Sequence, residues 1–99
     1  MSGESIEVGC VCVSRAGHDK GCFYMIYRAV DENYVLLVDG VRKTIGSPKK
    51  KKVKHIKSTP YVLEDIAKTI AEGKSAYDFQ IAKALDDTKK AISAKGKEG

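Results

Sequence analysis

Several things are missing from this chain of 99 residues, and each absence removes a class of function. No apolar run approaches the roughly eighteen residues that a membrane-crossing helix needs. The first residues carry neither a basic start nor an apolar core segment, so no secretory signal is expected. Cysteine is scarce and odd in number, 3 in all, with Cys10 and Cys12 only two positions apart. That argues against a disulfide framework and for an intracellular, cytoplasmic protein with reduced thiols. Internal repeats are absent. Acidic residues are missing from one whole segment: between Gly40 and Leu63 there are 8 Lys/Arg and no Asp or Glu.

What is present suits a small globular protein. Hydrophobic residues make up 42% and charged residues 31%, a folded rather than a disordered composition. The length is that of one domain. The net charge of +5 is unevenly placed. Residues 1–58 hold 11 Lys/Arg against 6 Asp/Glu, whereas residues 59–99 hold 7 of each. The excess belongs to one segment, which favours a polyanion-binding face over a generally basic protein.

The first half reads as strands. GCVCV (9–13), CFYMIY (22–27) and YVLLV (34–38) are short apolar runs bounded by turn chemistry: RAGHDKG (15–21), DEN (31–33) and DG (39–40). Asp39-Gly40 fits a two-residue hairpin from which VRKTI (41–45) returns antiparallel, and VKHIK (53–57) suggests a short last strand. Close-spaced short strands predict a small barrel. The second half switches period. Leu63, Ile66, Ala67 and Ile70 mark one helical face, with Thr59-Pro60 as its expected start and Gly73 as its stop. A second helix is expected from near Ser75, with Ile81, Leu85 and Ile92 on its apolar face and a frayed tail from about residue 95. Together the two helices should form a hairpin whose apolar faces pack on the barrel.

The segment GCVCVSRAGHDKGCFYMIY followed by VLLVDGVRKTIGSPKKKKVKHI resembles a KOW motif and its continuation. It is similar to small bacterial KOW-domain RNA-binding proteins related to large-subunit ribosomal proteins of the fourteen-e, six-e and twenty-seven-e group. The resemblance covers roughly residues 6–57 and is carried by G-x-D-K-G, V-D-G-x-R and P-K-K-K-x-K-H in combination. It implies a mainly β fold, an SH3-like barrel over residues 1–58 with a helical extension over 59–99. It also implies non-catalytic binding of RNA, most often ribosomal RNA of the large subunit, by a ribosomal-protein-like chain that is monomeric outside the ribosome. Carried over by position, the contact loop is Arg15, Gly17, His18, Asp19, Lys20 and Gly21. The second basic element is Arg42, Lys43, Lys49, Lys50, Lys51, Lys52, Lys54, His55 and Lys57. His18 departs from the motif, where arginine is expected; it would bring less charge but could stack on a base.

Chemistry at these positions supports more than one reading. Gly17 and Gly21 permit positive φ and close backbone approach, Arg15 can fork onto phosphate, and Asp19 could fix the loop by accepting backbone N–H bonds. By spacing alone the loop reads equally as a solvated turn. The lysines would neutralise phosphates with counterion release; six contacts to a duplex give a salt slope near −5. The same run also reads as a solvated loop, although Pro48 stiffens its entry and Val53 and Ile56 re-anchor the chain. Cys10, Cys12, His18 and Cys22 lack a usual zinc spacing, and Cys10 and Cys12 would share one strand face as core thiols. Cys22, His18 and Asp19 make a poor nucleophile–base–orienter set, because two adjacent loop residues do not easily converge on one thiol. No cofactor, metal, membrane or small-molecule substrate is expected. One exposed tyrosine near the basic loop could stack on an unpaired base. Two rival readings are a transcription or translation adaptor whose barrel binds protein, and a nonspecific DNA-binding domain.

Overall fold

A computed structural model describes residues 7–98, with side chains through residue 93. Five strands come first: β1 (Cys10–Ser14), β2 (Phe23–Ala29), β3 (Tyr34–Val38), β4 (Lys49–Lys52) and β5 (Ile56–Val62). A 3₁₀ turn, Val53–His55, joins β4 to β5. Two helices follow, α1 (Glu64–Ala71) and α2 (Asp78–Glu98). The strands form one antiparallel sheet in the order β4-β3-β2-β1-β5.

Both faces of the sheet are buried, by different means. Side chains alternate across a strand. One face gathers Cys10, Cys12, Tyr24, Ile26, Val35, Leu37 and Ile56, with Val53 against them. These residues come only from the strands and the 3₁₀ turn, so the sheet folds over its own side chains. The opposite face gathers Val11, Met25 and Val38 with Ile66, Ile81 and Leu85 of the helices. Burying Ile81 and Leu85 there is worth on the order of 2 kcal/mol each. The expected placement of Cys10 and Cys12 on one face, and of the helical apolar faces against the strands, is what the structure shows.

By strand pairing the sheet is open, where a closed SH3-like barrel is expected. β4 and β5 stand at its two ends. The 3₁₀ turn carries the chain between them, held by Val53 N–H to the Asn33 carbonyl and Arg15 N–H to the His55 carbonyl, both 2.8 Å.

Four local expectations are corrected. The last strand does not span 53–57: Val53–His55 form the 3₁₀ turn and β5 runs Ile56–Val62. Asp39-Gly40 does not close a two-residue hairpin with 41–45 as the return strand. One carboxylate oxygen of Asp39 accepts the N–H groups of Val41, Arg42 and Lys43, each at 2.9 Å, and wraps the chain into a longer connection. The strand that returns is the lysine run itself: β4 pairs with β3 through Leu36↔Lys50 and Leu37↔Lys49. Thr59 and Pro60 lie within β5, not at a helix start. The Thr59 hydroxyl donates to the Val11 carbonyl at 2.7 Å, and Pro60 is tolerated because β5 is an edge strand. α1 begins at Glu64, whose carboxylate, with that of Asp65, suits a helix N-terminus, and Gly73 ends it as expected. α2 starts at Asp78 rather than near Ser75. Its backbone continues to Glu98; the fraying expected from about residue 95 falls where side chains lie outside the described residues.

Gly40 is where the strand layer meets α2. Its φ is +81°, and a Cβ there would run into the Asp78 carbonyl oxygen and come within 2.7 Å of the Ala82 nitrogen. Gly40→Ala should therefore lower the unfolding free energy by about 2 kcal/mol or more. Gly46→Ala, with open space around it, should stay within about 0.5 kcal/mol. Urea unfolding of the two variants beside the parent checks this; equal midpoints for both would show that Gly40 is not a packing constraint.

Candidate nucleic-acid interface

Asp19 is the centre of the basic region. It sits in the connection between β1 and β2, and four donors meet its carboxylate. Oδ1 accepts from the Ser14 hydroxyl and the Lys51 ammonium, both at 2.8 Å. Oδ2 accepts from the Tyr24 hydroxyl and the Lys49 ammonium, both at 2.9 Å. The group thus ties together β1, β2, their connecting loop and β4. Lys51 also donates to the Ala16 carbonyl at 2.9 Å, which clamps the loop onto the strand. The sequence expectation that Asp19 accepts backbone N–H bonds is replaced by this side-chain node.

The electrostatics follow. Burial alone would raise the Asp19 carboxyl, but hydrogen bonds from Lys51, Lys49, Ser14 and Tyr24 outweigh it and hold it well below the usual carboxylate range. Tyr24 is pushed up, first by burial and then by its bond to the Asp19 carboxylate. Both groups keep the charge states that make the node.

Strand alternation divides the lysine run in two. Lys49 and Lys51 lie opposite Leu37 and Val35, on the side of the self-covered core, and are half-buried against Asp19. Lys50 and Lys52 lie opposite Leu36 and Tyr34 and are exposed. The Lys50 ammonium stands over the Tyr34 ring, 4.7 Å from its centroid. Lys52 continues into Lys54, and the two line a cleft of about 420 Å³ with Glu32, Asn33, Tyr34 and Val53. The cation–π pair and the cleft are not readable without the β3–β4 register; nothing local in the sequence announces them.

The other predicted residues fall into two groups. Arg15, His18 and Lys20 are exposed on the loop, with Gly17 at φ +87° and Gly21 at φ +92° as expected. The Arg15–His55 backbone bond and the Val13↔Lys57 pairing bring His55 and Lys57 beside them. Arg42 and Lys43 belong elsewhere, on the Asp39 turn against the start of α2. Both connections, 15–22 and 39–48, leave the same end of the antiparallel sheet.

The thiols do not converge on the loop. Cys10 and Cys12 are in the core and Cys22 is exposed. The Cys12 thiol is pushed up to about 12 by burial and by neighbouring Cys10, so it stays protonated. Among the described residues no group of three or more His, Cys, Asp or Glu could hold a metal ion, and no helix is long and apolar enough to cross a membrane. Asp19 is committed to its four donors rather than to His18.

A five-stranded antiparallel sheet backed by two helices, with a lysine strand at one edge and a carboxylate-locked basic loop beside it, defines a small β protein with one cationic face. No family model matches the chain. The large ribosomal subunit protein eL14 of Desulfurococcus amylolyticus is 31% identical over 84 residues, covering 84% of this chain and 79% of the relative. That of Staphylothermus marinus is 31% identical over 81 residues, covering 82% of this chain and 77% of the relative. The chain belongs to the eL14 family of large-ribosomal-subunit proteins.

Removing the node's charge should be costly and pH-dependent. Asp19→Asn is expected to lose about 3 kcal/mol at neutral pH, because two half-buried ammonium groups are left without their counter-charge. The folded-state pKa of Asp19 lies below its ordinary value of 3.8. Its stabilisation is therefore complete above that value and is lost as pH falls through it toward the folded value. The gap between parent and variant in urea unfolding should narrow steadily from about pH 5 to about pH 2. A gap that stays constant over this range would exclude the ionised carboxylate as its source.

Proposed function

We propose that the chain is a non-catalytic RNA-binding protein of the large ribosomal subunit that grips ribosomal RNA by its phosphates. The observation that carries this reading is the alternation along β4. Lys49 and Lys51 are spent on Asp19, which fixes Lys50 and Lys52 outward in a rigid row. With Lys54, Lys57, Arg15 and Lys20, also exposed, they make six cations on a folded surface rather than on a loose tail. Membership of the eL14 family supports the same partner, since both relatives are named as large-subunit proteins.

In this reading Gly17 and Gly21 let the loop backbone approach the RNA, Arg15 forks onto phosphate, and His18 and His55 lie at the margin of the face. Arg42 and Lys43 extend it at the same end of the sheet. Residues 1–58 form the gripping part, a KOW element in an SH3-like curl, supported by the strand order and by the 3₁₀ turn that joins the two edge strands. The helices α1 and α2, within residues 59–99, cover its outer face. Recognition rests on shape and charge, because the A-form major groove is too narrow for side-chain reading. The protein acts in the cytoplasm and is a monomer away from the ribosome.

Binding to a fragment of large-subunit ribosomal RNA, measured across a salt series, should give log K against log salt a slope near −5 for six phosphate contacts. Lys50→Glu with Lys52→Glu should weaken binding at least tenfold and flatten the slope by about two, while the lost Lys50–Tyr34 contact lowers stability by no more than about 1 kcal/mol. Lys51→Ala should act mainly by lowering stability. Equal affinity for duplex DNA of the same length would favour a nonspecific polyanion binder. An unchanged affinity in the Lys50/Lys52 double variant would overturn the proposed face.

A further inference from the structure

Among the described residues five large hydrophobic side chains are exposed, and three of them, borne by neighbouring stretches of backbone, are used by nothing described so far. Val41 is 73% exposed, Tyr77 58% and Phe79 70%. Their proximity is fixed by backbone packing. Gly40 abuts the Asp78 carbonyl and the Ala82 nitrogen, and the Ile45 N–H donates to Asp78 Oδ1 at 2.9 Å. Val41 follows Gly40, and Tyr77 and Phe79 flank Asp78, so the backbones of all three lie near one another where the 39–48 connection meets the start of α2.

The two rings are stacked on each other, with centroids 5.6 Å apart and planes 22° apart. That spacing is short of the two van der Waals separations, about 7 Å, needed to admit a third ring between them. The pair therefore offers its outer ring faces.

The surrounding charges indicate the partner. The acids of the patch are used internally: Asp39 holds the N–H groups of Val41, Arg42 and Lys43, and Asp78 holds that of Ile45. Arg42 is exposed beside Val41, whereas Lys83, one helical turn beyond Phe79, lines the cleft between α1 and α2 together with Glu64, Asp65 and Asp87. Stacked aromatic rings beside an exposed Arg, with the adjacent Asp39 and Asp78 carboxylates already satisfied, suit an unpaired nucleotide: the base extends the stack while its phosphate meets the guanidinium.

We infer that Tyr77 and Phe79 form a stacking platform for an unpaired base of the bound RNA, with Arg42 on the adjoining phosphate. This rests on the RNA-binding reading above and adds to it a second point of grip, one that recognises single-stranded rather than duplex RNA. The patch lies at the sheet end from which the basic loop also projects, so one RNA could reach both.

The test uses the full chain and two probes, a single-stranded oligoadenylate and an abasic ribose-phosphate chain of equal length. Stacking predicts that the parent prefers the oligoadenylate by about tenfold at fixed salt. Tyr77→Ala with Phe79→Ala should remove that preference and leave the salt slope unaltered, because no charge is changed. Phe79→Tyr should keep the preference. Both positions are exposed, so circular dichroism and the unfolding midpoint should match the parent. A parent without preference, or an alanine double variant that retains it, overturns the platform and turns the patch toward a protein partner. The phosphate face is read separately with Lys50→Glu and Lys52→Glu on the abasic chain. If those variants lose affinity while the aromatic ones do not, only the platform fails; if the parent binds the ribosomal RNA fragment but neither single chain, the platform fails and the phosphate face stands; if it binds none of the three, both readings fail.

Discussion

Everything on the cationic side of this protein depends on one carboxylate. Four consecutive lysines are an unpromising strand: lysine has low β propensity, and like charges on one strand face repel. The Asp19 node resolves this for the two lysines that must point toward the core side. It supplies each with a short charge-assisted bond and takes two hydroxyl donors, from Ser14 and Tyr24, that would otherwise need other partners there. Only with Lys49 and Lys51 held in this way can β4 lie flat against β3 and turn Lys50 and Lys52 outward.

That arrangement needs the rest of the fold to be rigid around it. Ser14 and Tyr24 are placed by the β1–β2 pairing, in which Val13 faces Phe23 and Cys12 faces Tyr24. Those strands are pinned from both sides, by the self-covered core on one face and by the helices on the other. Lys89 of α2 stands over the Phe23 ring at 5.9 Å, so the far helix also bears on the start of β2. The helices thus support the basic face at a distance, by holding the strands that aim the node's hydroxyls.

Legibility in the sequence followed the range of the interactions. β1, β2 and β3 could be read because their apolar runs are bounded by glycine and aspartate turns, a local signal. The buried face of α1 was equally plain from the spacing of Leu63, Ile66, Ala67 and Ile70. β4 could not be read, since composition argues for solvent and the compensating Asp19 lies some thirty residues away. Asp39-Gly40 misled for a related reason. The positive φ of Gly40 was foreseeable, but the Asp39 carboxylate captures three successive N–H groups and lengthens the turn. Thr59-Pro60 reads as a helix start by local rules, yet the long-range pairing of β5 with β1 overrides them. The basic residues of the candidate face were visible as charge. Which of them are spent and which are free was not, because that division depends on register.

The division also bears on why so many lysines sit on a strand at all. β4 is an end of the sheet, and a bare edge invites pairing with another chain. Lysines that point outward repel a second copy, and inward lysines bound to a carboxylate make the edge hard to extend. β5, the other end, carries Pro60, which cannot donate to a further strand. Both edges are therefore closed to protein strands by chemistry that leaves one of them attractive to polyanions. Charge that would be a liability in a barrel interior becomes, at the edge, a guard against aggregation and, in the proposed reading, a handle for phosphate. In that reading the same four residues serve both ends because Asp19 neutralises the inner pair and leaves the outer pair facing solvent, Lys50 over the Tyr34 ring.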